Sequence, residues 1–379
     1  MILAYKDAST SLPRIHLWPN YIIDLDAPFT WNDCVERPFE DTCIEFKKGC
    51  RSPLSCSNHL CKEAHSYDPN PNCPSFNITT KYGCNICPVT TLNPVSNKCK
   101  LSQLNTYTGR LRPFGIRFVS SCAPSSLLSS LPKDVRGVAA FSWSNLAFPR
   151  QLSRVTDKFA LCLTNSSGYA GVIYLGDGPF YFTPTFPNLD IRTILSYTPM
   201  IRKSSKSLGY YIKLNRISIN GTPIHLPSLK SESVKLSTVV PYTTLRSDIY
   251  NALFTAFIKA TKDIPRAIAE SPFNLCLKAS VRSVHYRFHV PNIELETESG
   301  KVWTISQDNS MERSTWNGAA CLAFIDGGSR VEDAIVIGTF QMENNFLFFD
   351  LENQKLGFSS SLLARGTACS SANFTQSPQ

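Results

Sequence analysis

Short apolar runs broken by turn residues dominate the chain. "GIRFVSSCA", "KFALCLTN", "GVIYLGDG", "GYYIKLNRISING", "SVKLSTVV" and "NNFLFFDLENQKLGFSS" combine β-branched and aromatic residues with Gly, Asn and Asp, which predicts strands joined by tight turns. Helical spacing stands out twice. In "LRSDIYNALFTAFIKATKD" the residues Ile249, Leu253, Phe257 and Ala260 recur on one face, and a shorter segment, "FPRQLSRVTDKF", would start at Pro149. An echo links the two halves. The Asp-bearing "YIIDLDAPFTW" is followed by the apolar "RGVAAFSW", as "SVKLSTVVPYTTL" is later followed by "DAIVIGTF". A mainly β protein with two similar halves is the expectation.

Composition adds a compartment. The 379 residues are 42% hydrophobic, enough for two cores, and no apolar run reaches membrane-spanning length. Nine of the 14 cysteines (Cys34, Cys43, Cys50, Cys56, Cys61, Cys73, Cys84, Cys87 and Cys99) lie in a Pro-, Asn- and Ser-rich stretch, 34–99, which reads as a loop-rich excursion held by disulfides; the others are Cys122, Cys162, Cys276, Cys321 and Cys369. Sequons at Asn77, Asn165, Asn220 and Asn373 point with them to an oxidising, extracellular setting, although the N-terminus carries no signal-peptide pattern. The net charge of +9 comes from Lys and Arg scattered singly or in pairs, which argues against nucleic acid and leaves an acidic wall polysaccharide as a looser partner. Zinc is the alternative for "CSNHLC" (Cys56, His59, Cys61) and "CNIC" (Cys84, Cys87); disulfides are favoured, so no metal and no cofactor is expected. There is no G-x-S-x-G elbow and no phosphate-binding glycine loop.

"AIVIGTFQMENNFLFFDLENQKLGFS", with "SSCAPSSLL", "VPNIEL", "CLAFIDGGS" and "ARGTAC", resembles the plant branch of pepsin-like proteins that holds xylanase inhibitors, extracellular dermal glycoproteins and seed basic globulins. The resemblance runs from about Ile22 to the end. It implies a bilobal β fold with a few short helices, an N-terminal lobe over 1–195 and a C-terminal lobe over 196–379, and a monomer. It also implies disulfides Cys162–Cys369 and Cys276–Cys321; Cys43 and Cys50 fit its pattern least well and are read as an added pair with each other.

Pepsin-like proteases hydrolyse peptides with two facing aspartates that share one proton, each opening an Asp-Thr/Ser-Gly loop. By the resemblance Asp24 takes the first position, with Leu25 and Asp26 in place of the small residue and glycine, and Ser237 takes the second. Asp24 then reads as a hydrogen-bonded remnant, and the Asp326 of "FIDGGS" as a turn. The inhibitors of this branch push a basic side chain into the carboxylate-lined cleft of a glycoside hydrolase. Arg365 matches that position, and Arg282, His285 or Arg287 is the second candidate. The expected function is a proteolytically inactive inhibitor of a xylanase or xyloglucanase in the plant cell wall. The alternatives are a residually active aspartic endopeptidase and a peptide-binding or storage globulin.

Overall fold

A computed structural model describes residues 2–6, 13–16, 20–33, 51–67, 70, 73, 84–111, 114–152, 157–165, 169–182, 190–278, 290–314 and 318–372. Strands predominate, and the two halves repeat one pairing scheme. In the first, Asn20–Asp24 lies parallel to Val135–Ala140, which runs antiparallel to Trp31–Asp33, itself parallel to Phe114–Ala123. In the second, Val234–Leu236 lies parallel to Ile335–Ile337, which runs antiparallel to Thr243–Leu245, itself parallel to Phe324–Asp326. The strand order is the same in both, so the echo in the sequence is a repeat in space.

One sheet is shared between the lobes. Phe346–Asp350, from the second half, pairs with Lys158–Cys162 of the first, and Lys355–Phe358 pairs with Ser196–Pro199. Alternation along Phe346–Asp350 feeds two cores. Leu347 and Phe349 join the main core, where Phe349 stacks on Phe159 at 4.5 Å between ring centroids; Phe346 and Phe348 join a second core with Phe180 and Phe182. This strand is therefore buried on both faces, which explains its run of four apolar residues.

The amphipathic helix forms over Ser247–Ala260, and it buries Ile249, Tyr250, Leu253 and Phe257 in the main core. Ala260 is exposed, contrary to the expectation from spacing, because the position four residues after Phe257 that faces inward is Thr261, which is buried and closes the helix with backbone bonds to Phe257 and Ile258. The other helix covers Phe148–Leu152 and starts one residue before Pro149; residues 153–156 of the expected segment lie outside the described residues. No helix among the described residues is long and apolar enough to cross a membrane.

The excursion holds more regular structure than its composition suggests. Asn58 caps a helix over His59–Ala64 by accepting the amide hydrogen bond of Leu60, and Cys87–Asn93 forms a hairpin with the long strand Lys98–Leu111. Disulfides Cys56–Cys84, Cys61–Cys87 and Cys73–Cys99 hold these pieces together. Elsewhere Cys162 joins Cys369, Cys276 joins Cys321, and Cys122 is also disulfide-bonded. Cys34, Cys43 and Cys50 lie outside the described residues.

Candidate functional site

The repeat fixes which residues of the two halves are equivalent. The Ala140 amide donates to Thr30 Oγ1 at 3.1 Å, and the Gly338 amide donates to Thr243 Oγ1 at 3.2 Å. Counting back six residues from each threonine gives Asp24 and Ser237. Their side chains also do the same local job: Asp24 Oδ1 accepts the Asp26 amide at 2.8 Å, and Ser237 Oγ accepts the Val239 amide at 3.3 Å. Ser237 therefore holds in the second lobe the place that Asp24 holds in the first, and it offers a hydroxyl where a second carboxylate would be needed to share a proton.

The two loops meet. Thr238 Oγ1 donates to the carbonyl of Ile23 at 2.7 Å. The residue equivalent to Thr238 is Leu25, which has no hydroxyl to return the bond, so the lobes are tied by one such bond. Asp24 is 5% exposed, and burial, reinforced by the Asp26 carboxylate, pushes its carboxyl up to about 7 against the pull of the Asp26 amide and Lys235. It is a proton-holding acid in mildly acidic solution.

Asp26 does not act as the missing partner, because Lys235 of the second lobe engages it in an ion pair. Lys235 also lies 3.7 Å from Asp333, which pairs in turn with Lys203. Burial pulls the Lys235 ammonium down, but Asp26, Tyr211 and Asp333 outweigh it and hold the group above the usual lysine value. Gly209 makes room for this clasp: a Cβ there would sit 3.1 Å from Asp26 Oδ1 and 3.2 Å from Lys235 Cε. Sequence reasoning missed Lys235, for which the available signal was a lone cation between Val234 and Leu236 in an apolar strand.

The first lobe also departs from a glycine-rich pattern. Ala140 stands where the second lobe has Gly338, whose Cβ would come within 2.6 Å of the Tyr242 backbone. Asn32 is buried, yet its Oδ1 accepts hydrogen bonds from Ser120 and Tyr107, so its polarity is satisfied. Asp326 accepts from Ser247 Oγ and from the Gly328 amide, as a turn carboxylate does.

Arg365 ends a short 3-10 helix, Leu362–Arg365. Leu362 is buried, Gly366 turns the chain at φ 72°, and Cys369 anchors the far side through its disulfide to Cys162. The side chain between these anchors is exposed and makes no ion pair or hydrogen bond among the described residues. Arg282, His285 and Arg287 lie outside the described residues, as do the sequons at Asn77 and Asn373; Asn165 and Asn220 are exposed. The structure does not assemble the zinc alternative. His65, rather than His59, lies with Cys61 and Cys87, and both sulfurs are committed to a disulfide.

The comparisons with known proteins agree with this geometry. A family profile described as xylanase inhibitor N-terminal matches residues 19–177, and one described as xylanase inhibitor C-terminal matches residues 209–360. The chain belongs to the xylanase-inhibitor family of pepsin-like proteins. Relatives in this family include Chitinase CLP of Oryza sativa subsp. japonica, 35% identical over 98% of this chain and 90% of the rice protein. Gamma conglutin 1 of Prunus dulcis is 33% identical over 97% of this chain and 88% of its own, and Probable aspartic proteinase GIP2 of Nicotiana benthamiana 32% identical over 93% and 85%. The fold matches the crystal structure of edgp with a TM-score of 0.79 and 29% identity, covering 99% of this chain and 98% of the other.

Proposed function

We propose that the protein is a proteolytically inactive, extracellular binder of a glycoside hydrolase, acting as an inhibitor in the plant cell wall. The observation that carries this reading is the presentation of Arg365. A guanidinium held out on a short turn, anchored on both sides and without an internal partner, is suited to enter a cleft lined by two carboxylates. There it forms paired charge-assisted hydrogen bonds. Ser237 supports the loss of proteolysis, since Asp24 alone cannot form a shared-proton pair. The disulfides and the exposed sequons at Asn165 and Asn220 support export and glycosylation.

A second reading, a seed or wall globulin, rests on the relatives named gamma conglutin and basic 7S globulin. Capture from apoplastic extract with the oxidised protein, followed by calorimetry on the captured hydrolase, separates the two. Arg365→Ala weakens binding by about 2–5 kcal/mol, because the enzyme's carboxylates are left desolvated and unpaired. Arg365→Lys falls between, since a point charge lacks the planar fork. Equal affinity of the native protein and Arg365→Ala moves the binding surface elsewhere; no captured hydrolase favours the globulin.

A further inference from the structure

A cavity of about 800 Å³ opens on the shared sheet, on the face that carries Phe348 and Asp350 rather than the face that carries Phe349. It is separate from the Asp24 loops and from Arg365, whose residues do not line it. Its size falls within the range of small-ligand pockets, roughly 300–1,000 Å³.

Tyr197 provides an aromatic surface in this cavity. The residue is 38% exposed, and it pairs across the sheet with Gly357, where a Cβ would sit 2.9 Å from Tyr197 Cε1 and 3.3 Å from Phe348 Cβ. The glycine thus lets the ring lie down against the sheet. Ordered polar groups surround it. Arg192 Nε donates to Asp190 Oδ2 at 2.7 Å, Lys158 lies 3.4 Å from Asp177 and 3.6 Å from Asp350, and Asn353 donates both its amide and its Nδ2 to Asp350. These carboxylates are fixed in direction by their partners, yet each keeps lone pairs for a further donor.

We propose that this cavity binds a neutral sugar unit, a pentose or hexose ring of a glycan. A pyranose has an apolar C–H face and a rim of hydroxyls. The Tyr197 ring suits the first, and oriented carboxylate and amide oxygens suit the second. An ionic ligand of either sign fits less well, because Asp177, Asp190 and Asp350 are balanced by Arg192, Lys355 and the adjacent Lys158. The proposal does not depend on hydrolase inhibition, since Arg365 takes no part in it.

Saturation-transfer NMR and calorimetry with xylobiose and cellobiose test it, with digalacturonate as the charged comparison. The expected result is binding of millimolar order to a neutral disaccharide. Tyr197→Ala weakens it at least about tenfold and Tyr197→Trp retains it, while Tyr169→Ala, which removes a tyrosine that is 67% exposed outside the cavity, leaves it unchanged. Thermal melts establish that each variant is folded. No transfer to either neutral sugar, an equal loss in Tyr169→Ala, or preference for digalacturonate overturns the proposal.

Discussion

Replacing Asp24 with asparagine makes the protein more stable at neutral pH and leaves it nearly unchanged at pH 4. The carboxyl has an ordinary value of 3.8, and burial raises it to about 7 in the folded protein. Between those values the native state holds a proton that the unfolded chain has released. Stability therefore falls as pH rises through this window, is fully present below about 4, and is lost above about 7. Each pH unit in the window is worth about 1.4 kcal/mol, so the whole penalty is about 4 kcal/mol at its upper limit. Asparagine carries no charge at any of these pH values, and its Oδ1 can still accept the Asp26 amide that Asp24 accepts now. The gain from Asp24→Asn is thus near zero at pH 4 and grows to a few kcal/mol by pH 7.5. Urea unfolding of both proteins at pH 4, 5.5 and 7.5 with the disulfides intact reads this directly, because urea leaves electrostatics unscreened and all other carboxylates cancel in the difference. A gain that does not grow with pH, or an asparagine variant that is less stable throughout, would refute the account of a buried, proton-holding Asp24.

Two further outcomes follow from the same loops. Lys235→Met lowers stability by about 1–2 kcal/mol, between the values for exposed and buried pairs, because the Asp26 side chain is 38% exposed and that of Lys235 20%; a double-mutant cycle with Asp26→Asn measures it, and zero coupling removes the clasp as an interlobe tie. Denatured globin is not cleaved between about pH 2 and 5, the range in which a shared-proton pair works; cleavage that disappears in Asp24→Asn reinstates an active protease.

Local pattern carried much of the fold. Strands such as Lys158–Cys162 and Phe346–Asp350 were visible because β-branched and aromatic residues stand between turn residues, and the helix over Ser247–Ala260 because Ile249, Leu253 and Phe257 share a face. The equivalence of Asp24 and Ser237 was visible only through the family resemblance. Contacts made by distant segments were not legible. Lys235 and Asp26 are 209 residues apart, and nothing in either neighbourhood states that the other exists. The cavity around Tyr197 draws its walls from both halves of the chain, with a glycine at 357 whose role depends on the residue across the sheet. Hairpin formation by Cys87–Asn93 was hidden by the surrounding Pro, Asn and Ser, because disulfides stabilise a strand that composition alone would not favour.

The loss of the acid pair and the gain of the clasp act in the same direction. A protease of this design needs two bare carboxylates at the lobe junction, and their repulsion works against close approach unless a proton is shared. Here the junction carries a neutral Asp24 in mildly acidic solution, a serine at the second position, and a cation on Asp26. Each change removes repulsion between the loops. The lobes are further joined by the Thr238 bond to Ile23, by the shared sheet, and by Cys162–Cys369, which links positions 207 residues apart and ends three residues after Gly366. Closing so long a loop constrains the unfolded chain strongly, an effect typically worth about 2–4 kcal/mol. The disulfide also fixes the base of the turn that presents Arg365. A side chain on a braced turn loses less freedom on binding than one on a loose loop, so rigidity at the lobe junction and affinity at the proposed binding turn draw on the same connection.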